Sequence, residues 1–319
     1  MFVWEKLGKI FNPLDHSSDD WMKEFAQAPC VLEFSDFIRI YFSCRPSADS
    51  TGQYVSYSAF ADFSKDGQFR ILNVAGKPIL ELGATGTFDE YGTYPVSVIR
   101  EGKQVIAYYG GWTRCESVPF NVAIGRAVSN DEGVTFLKSG TGPVLSYDSD
   151  EPFVLSGPKV RRYDGRYYIW YIAGRKWIMD NGRAEPVYRI RMASSEDGIY
   201  WKKEHRDLIE ARIYEEAQAS PDVFFKNGRY HMFFCYRYGT GYRGRERGYR
   251  IGYAWSEDKY NWIRNDSRAG IDVSEQGWDS EMISYPHIYE TGGVIYMFYL
   301  GNGVGREGFG VARLRGELK

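Results

Sequence analysis

Residues 158–174, PKVRRYDGRYYIWYIAG, decide the fold, because the same pattern recurs four more times along the chain. Each copy opens at a proline, runs through apolar residues to a turn six and seven residues later, and returns through a second apolar run. Four of the five turn pairs end in glycine, which short hairpin loops favour. The prolines are separated by 66, 63, 63 and 65 residues: Pro29, Pro95, Pro158, Pro221 and Pro286. A fixed period of this size predicts an array of repeated supersecondary units.

Two further short strands follow each hairpin. In the third repeat, residues 188–201 (YRIRMASSEDGIYW) give a strand that ends in an acidic turn with glycine, and residues 201–210 (WKKEHRDLIE) give a fourth strand. Five units of four strands predict an all-β fold, a five-bladed β-propeller of four antiparallel strands per blade. The last repeat lacks its fourth strand, and residues 3–13 (VWEKLGKIFNP) resemble it, so we expect the N-terminal strand to close the ring. The five units use the whole chain, which predicts a single domain over residues 1–319.

Composition and charge exclude several functions. The net charge of −2 gives no overall positive field for nucleic acid or an anionic membrane. No apolar run approaches the roughly 20 residues of a membrane span, and the first residues do not form a signal-peptide pattern. The four cysteines have no paired spacing, and the four histidines have no metal-ligand spacing. We therefore expect a cytoplasmic protein without a metal or another cofactor.

A ring of acidic residues precedes the prolines. If these loops form the mouth of a central funnel, their carboxylates converge there. Carboxyl groups that lie close together raise one another's pKa, so that one can stay protonated as an acid while another stays ionised as a base. Solvated loop residues are the alternative explanation. Four glutamates lie five residues before a proline, a fifth lies seven before, and one aspartate adjoins them: Glu24, Glu90, Glu216, Glu281, Glu151 and Asp89.

A second ring lies sixteen residues after each proline and includes Arg45, Arg237 and Asn302. Its arginines are either structural ion pairs or ligands for an anionic group such as a phosphate or uronate. Trp112 and Arg114 follow this ring in the second repeat, and a tryptophan there suits stacking on a sugar. Five further residues just before the prolines are suited to hydrogen bonds with sugar hydroxyls: Gln27, Tyr94, Ser156, Gln218 and Tyr285.

Several segments resemble the arabinanase–levansucrase–invertase superfamily of five-bladed propeller glycosidases, which includes glycoside hydrolase families 32 and 43, with the mannoside phosphorylases as relatives. The resemblance spans all five repeats and is carried by EPFVLSGPKV (151–160), EAQASPDV (216–223) and above all WDSEMISYPHIYE (278–290) with YLGNGVGREGFGVA (299–312). It is closest to a bacterial subgroup known only as glycosyl-hydrolase-like. The superfamily pattern implies three catalytic acids beside the prolines of the first three blades. The matching places hold 27–28 (Gln-Ala), 93–94 (Thr-Tyr) and 156–157 (Ser-Gly), so the usual acids are absent.

The sequence therefore predicts a carbohydrate-active enzyme, a glycoside hydrolase that uses paired carboxylates from the displaced acids. Glu281 and Glu90 are the first candidates, followed by Glu216 and Glu151 with Asp89. Three arginines, Arg45, Arg114 and Arg237, would orient a small-molecule or oligosaccharide substrate that carries an anionic group. Two alternatives remain open: a phosphate-dependent phosphorylase or sugar transferase, and a non-catalytic carbohydrate-binding propeller.

Overall fold

The computed structural model describes residues 1–16 and 20–318 as five four-stranded antiparallel sheets. The first blade contains β2 (Glu24–Glu33), β3 (Phe37–Arg45), β4 (Tyr57–Ser64) and β5 (Ile71–Val74). The second contains β6 (Gly92–Glu101), β7 (Gln104–Arg114), β8 (Phe120–Ser129) and β9 (Leu137–Lys138). The third contains β10 (Leu155–Tyr163), β11 (Arg166–Asp180), β12 (Arg183–Ser195) and β13 (Lys202–Lys203).

The fourth blade contains β14 (Ala217–Lys226), β15 (Arg229–Arg237), β16 (Arg250–Ser256) and β17 (Ile263–Arg264). The fifth contains β18 (Ser284–Thr291), β19 (Val294–Leu300), β20 (Phe309–Arg315) and, as its outer strand, β1 (Val3–Phe11). The predicted five-bladed propeller and its closure by the N-terminal strand are confirmed. Short helical turns at Pro13–Asp15, Asp266–Arg268 and Asn302–Gly305 complete the described elements.

The recurring proline lies inside the inner strand of each blade and does not open it as predicted. In the third blade Ser156 pairs with Ile172 and Lys159 pairs with Trp170, so the inner strand carries one extra residue at Gly157–Pro158. The same register shift recurs in the other four blades. Proline has no N–H for the ladder, so a β-bulge is where a strand tolerates it. Each inner strand consequently starts before its proline, and the residues before the bulge face the centre of the ring.

The predicted hairpin turns hold in four blades. In the second blade Glu101 pairs with Gln104, so the turn is Gly102–Lys103, one residue later than the pair chosen from the sequence. Gly102 adopts a positive φ of 58°, which a glycine accepts without steric cost.

The acidic turns between the third and fourth strands fasten neighbouring blades together. The Tyr41 hydroxyl donates to the Gly133 carbonyl at 2.9 Å, and the Tyr108 hydroxyl donates to the Gly198 carbonyl at 2.8 Å. A Cβ at Gly133 would lie 2.0 Å from the Tyr41 hydroxyl oxygen, so the tyrosine leaves no room for a side chain. These contacts, together with apolar packing between blades, hold the inner strands around the centre.

No helix among residues 1–16 and 20–318 has the length and apolar character that crossing a membrane requires.

Candidate functional site

A cavity of about 380 Å³ lies at the end of the propeller where the inner strands begin. Because each strand contributes side chains from just before its bulge, all five blades meet there. Each of the five inner strands contributes to its lining, with Gln27, Tyr94, Ser156, Ser220 and Tyr285 among the residues involved. A concave site of this size at the centre of the ring is where a small ligand is expected to bind. We refer to it as the central cavity.

The predicted acidic ring does not line the central cavity. None of Glu281, Glu90, Glu216, Glu151 and Asp89 is among its lining residues. The expectation that these carboxylates converge on the funnel is therefore not met. Neither are they all solvated loop residues, because three of them are fully buried and paired within their own blades.

Glu151 shows how a buried acid is used. One carboxylate oxygen, Oε1, accepts from the Tyr171 hydroxyl and from Arg191 Nη1, both at 2.9 Å. The other, Oε2, lies 2.8 Å from Lys203 Nζ on the outer strand β13. Glu151 has no exposed surface, so the whole group is a buried ion pair with a tyrosine hydroxyl as a further donor. It ties the outer strand to the loop before β10.

The same acid–tyrosine–cation arrangement recurs in the second blade. Asp89 Oδ2 accepts from the Tyr109 hydroxyl at 2.9 Å and lies 2.6 Å from Lys138 Nζ on the outer strand β9. In the fifth blade Asp279 makes the equivalent contacts with a tyrosine of β19 and a lysine of β1. The same structural contact thus occurs in the second, third and fifth blades, where Asp89, Glu151 and Asp279 lie six or seven residues before the proline.

In the fourth blade Glu216 pairs with Arg264 Nη1 at 2.7 Å on the outer strand β17. Gln218 Nε2 donates to the same glutamate at 2.7 Å and to the Ile209 carbonyl at 3.1 Å. Gln218 is therefore occupied behind the cavity wall and does not line the cavity as predicted.

The two first-choice catalytic residues lie in loops. Glu90 Oε2 accepts from the Gly86 backbone N–H at 2.8 Å, which closes the turn that precedes β6. The Glu281 carboxylate is exposed and has no hydrogen bond or ion pair with residues 1–16 or 20–318, while its backbone N–H donates to Asn302 Oδ1 at 2.7 Å. Asn302 thus holds this loop and does not line the cavity as predicted.

Among the described residues that line the central cavity, Glu185 is the one carboxylate, and it was not predicted from the sequence. Its Oε2 accepts from the Tyr242 hydroxyl at 2.7 Å, and its Oε1 accepts from Arg243 Nη2 at 2.6 Å. Only 2% of Glu185 is exposed. Glu185 lies on β12, which is the third strand of its blade, whereas the predicted site residues belong to the first and second strands and the loops beside them.

Arg45 is the basic residue best placed to bind a ligand. Its Nε donates to Ser56 Oγ and its Nη2 to Gln27 Oε1, both at 3.1 Å. A guanidinium has five N–H donors, so the remaining donors, including both on Nη1, have no partner among the described residues. Four aromatic rings surround it, those of Phe25, Tyr54, Tyr94 and Trp112.

The charge of Arg45 is not balanced by an ion pair with any described carboxylate. Burial among the rings lowers the pKa of its guanidinium, because desolvation opposes the charged form. An anion bound at Arg45 would replace the solvation that this burial removes. The prediction that Arg45 lines the site agrees with its position in the cavity wall.

Arg237 also lines the cavity, but its donors are already occupied. Its Nε donates to the Tyr249 hydroxyl at 3.1 Å, Nη1 donates to two carbonyls, and Nη2 donates to the Pro186 carbonyl and the Tyr188 hydroxyl. The guanidinium carbon lies 3.7 Å from the Tyr242 ring centroid. Arg237 therefore adds positive charge and fixes the tyrosines, whereas the predicted direct contact with substrate is not supported by this geometry.

The other predicted binding residues divide between two sites. Tyr94 and Tyr285 line the central cavity, and the Tyr94 hydroxyl donates a hydrogen bond to the Tyr285 hydroxyl at 2.9 Å. Trp112 lines the cavity too, and its Nε1 donates to the Tyr94 carbonyl at 2.7 Å. Gln27 lines it and donates to the Val304 carbonyl. Arg114 lies outside the cavity, in a neighbouring groove.

Positive charge dominates the central cavity. In the part of the chain that the structure describes, five arginines line it and Glu185 is the single carboxylate. The arginines are Arg45, Arg183, Arg237, Arg243 and Arg306. Arg306 is paired with Glu24, whose carboxylate lies 2.9 Å from its Nη2. The cavity wall therefore combines an excess of guanidinium groups with tyrosine hydroxyls. This combination is suited to a hydroxylated ligand that carries an anionic group.

One group of potential metal ligands occurs in the part of the chain that the structure describes. Asp148, Asp150 and His205 are exposed and bring their ligand atoms within 4.8 Å of one another. Asp148 is already 2.7 Å from Lys203 Nζ. The group lies outside the central cavity and we assign no metal to it.

Comparison with known proteins places the chain in a family. It is 38% identical to the Mycobacterium tuberculosis (strain ATCC 25618 / H37Rv) protein named "Uncharacterized protein Rv1502", over 98% of this chain and 99% of the relative. No family model matches. The chain belongs to the same family as this mycobacterial protein.

Solved structures define the wider fold class. A structure described as a complex of BT0996 with RGII superimposes with a TM-score of 0.75 at 17% identity, over 98% of this chain and 92% of the other. The β-1,2-mannobiose phosphorylase from Listeria innocua gives a TM-score of 0.69 at 14% identity, over 98% and 96%. A thermostable family-43 glycoside hydrolase gives 0.63 at 14% identity, over 94% and 91%. The resemblance to the five-bladed propeller glycosidases is confirmed in the fold.

Proposed function

We propose that the protein is a carbohydrate-active enzyme that breaks or transfers a glycosidic bond in the central cavity, with an oxyanion held at Arg45. The observation that carries this proposal is the half-buried Arg45 guanidinium, which faces the cavity with unoccupied donors and no carboxylate partner among the described residues. Tyrosine hydroxyls around it supply the neutral hydrogen bonds that sugar hydroxyls require. The fold is shared with glycoside hydrolases and with a mannobiose phosphorylase.

The presence of a single carboxylate among the described residues of the cavity wall favours a phosphate-dependent reaction over hydrolysis. Hydrolysis by the usual route needs two carboxylic groups, one to protonate the leaving oxygen and one to activate water or attack the sugar. In phosphorolysis, a phosphate oxygen attacks the anomeric carbon as the bond to the leaving oxygen breaks, so the protein supplies only the proton. In the Glu185–Tyr242 pair the proton is on the Tyr242 hydroxyl, because the carboxylate also accepts from Arg243, so Tyr242 is the group that would protonate the leaving oxygen, and the proton of the attacking phosphate would restore it. The arginines suit phosphate.

The test is product release from mannobioses, cellobiose, digalacturonate and aryl glycosides, with and without inorganic phosphate. We expect sugar phosphate only with phosphate present, and loss of turnover in Glu185→Gln and Arg45→Met. Free sugar without phosphate would instead establish a hydrolase. Tight binding of these sugars without any product would assign the cavity to a non-catalytic carbohydrate-binding propeller.

The matched control for Arg45→Met is Arg175→Met. Arg175 pairs with Asp207 at 2.6 Å and lines neither the central cavity nor the neighbouring groove. Equal loss of turnover in both variants would show that the effect of Arg45→Met is not specific to the site.

A further inference from the structure

A second cavity of about 470 Å³ adjoins the central cavity, and we call it the outer groove. The two share six lining residues: Arg45, Gly52, Tyr54, Trp112, Phe120 and Arg183. Such shared walls make them two lobes of one continuous depression, with Arg45 at the junction. Both volumes fall within the range of about 300–1,000 Å³ that is typical of small-molecule sites.

An extended hairpin of the third blade builds one wall of the outer groove. The strands β11 and β12 have 15 and 13 residues, whereas the second strands of the other blades have 7 to 11. The extension is fixed in place: Trp177 packs against Phe120 with centroids 5.5 Å apart, and Asp180 Oδ2 accepts from the Gly241 N–H at 2.8 Å. Near its tip, Met179 is 66% exposed and lines the groove.

The floor of the groove is aromatic and basic. The Arg114 guanidinium stacks over the Tyr91 ring at 4.5 Å and pairs with Asp49 at 2.9 Å. Its Nε is buried without a hydrogen-bond partner among the described residues. Half-buried Trp112 and Tyr54 continue this surface toward the junction. Rings with adjacent hydrogen-bond donors recognise the apolar face and the hydroxyls of a sugar.

We infer that the outer groove is a second sugar-binding subsite, which holds the leaving-group unit of a substrate at least two sugars long. This inference rests on the proposed function. The sugar that is cleaved occupies the central cavity, the oxyanion lies between the lobes at Arg45, and the second sugar lies on the groove floor beside Trp112 and the stacked Arg114–Tyr91 pair. The substrate is therefore a disaccharide or a longer oligosaccharide rather than a simple glycoside with a small leaving group.

The test compares dissociation constants, by calorimetry with sulfate present as an unreactive analogue of phosphate, for D-mannose, D-glucose and D-galacturonate with those for mannobiose, cellobiose and digalacturonate. Wild-type protein should bind at least one disaccharide about tenfold more tightly than its monosaccharide. Ser117→Trp fills the groove from an exposed loop residue in its lining, and Met179→Trp fills it from the opposite wall. Both variants should reduce the ratio of the monosaccharide to the disaccharide dissociation constant to about one, whereas Arg175→Met should leave it at the wild-type value.

The inference is overturned if no disaccharide binds more tightly than its monosaccharide, or if the ratio survives in both groove-filling variants. The proposed function fails separately, if none of these sugars binds the wild-type protein or if Arg45→Met leaves all the affinities unchanged.

Discussion

Replacing Glu151 with glutamine tests whether the acidic ring is structural. The substitution removes the charge that Arg191 and Lys203 face in a fully buried site. Removing one partner of a buried ion pair costs about 3–5 kcal/mol. Each cation keeps a second carboxylate, because Arg191 Nε lies 3.1 Å from Asp207 and Lys203 Nζ lies 2.7 Å from Asp148. We therefore expect the lower end of that range, about 3 kcal/mol.

The assay is thermal unfolding followed by calorimetry. An unfolding entropy of about 2.1 cal/mol/K per residue converts 3 kcal/mol into a decrease of about 4–5 °C in Tm for a chain of this length. Glu281→Gln is the control, because Glu281 is an exposed acid of the same predicted ring, and its Tm should change by less than about 1 °C. A Glu151→Gln variant with wild-type Tm would refute this structural role, and loss of turnover in Glu281→Gln would restore the catalytic role predicted from the sequence.

Three further outcomes follow from the buried polar groups. Burial lowers the pKa of His287 to about 4, and the nearby Lys159 ammonium acts in the same direction. Because the unfolded histidine binds its proton near pH 6.5 and the folded one only near pH 4, stability should fall by about 3 kcal/mol as the pH drops through this window. His287→Gln should flatten that dependence in urea titrations, and an unchanged slope would exclude His287 as its source. Arg237→Met leaves several tyrosine and carbonyl acceptors unpaired, so the free energy of unfolding measured in urea should fall by about 3 kcal/mol. A variant as stable as the wild-type protein would contradict the hydrogen bonds described. Gly133→Ala should destabilise the contact with the Tyr41 hydroxyl and lower Tm, and an unaltered Tm would show that this contact is dispensable.

The repeat predicted the architecture well because it records a local physical requirement in every blade. A proline, a turn and two apolar runs specify a hairpin, and five copies with a donated N-terminal strand specify the ring. The position of Pro158 inside β10 could not be read from spacing, since a strand that continues through a proline depends on a bulge in the pairing.

The site was predicted less completely because proximity to a proline in sequence does not determine burial. Glu151, Asp89 and Glu281 lie seven, six and five residues before their prolines, and the partners that bury the first two come from outer strands distant in sequence. Glu185 was missed because its place in the cavity depends on the length of the β11–β12 hairpin. Tyr94 and Tyr285 line the cavity because they adjoin inner-strand bulges, and Arg45 lines it because β3 returns to the same end of the propeller; their role in binding stays a prediction.

The most direct test of the account is calorimetric titration of inorganic phosphate and D-galacturonate into wild-type protein, Arg45→Met and Arg175→Met. A charge-assisted hydrogen bond is worth about 1.5–3 kcal/mol, so losing Arg45 should weaken binding of the oxyanion by about 10- to 150-fold. We predict that at least one of the two anions binds the wild-type protein and Arg175→Met equally and loses affinity by that factor in Arg45→Met. Absence of binding to the wild-type protein, or equal affinity in Arg45→Met, would contradict the central claim that Arg45 holds an anionic group in the cavity.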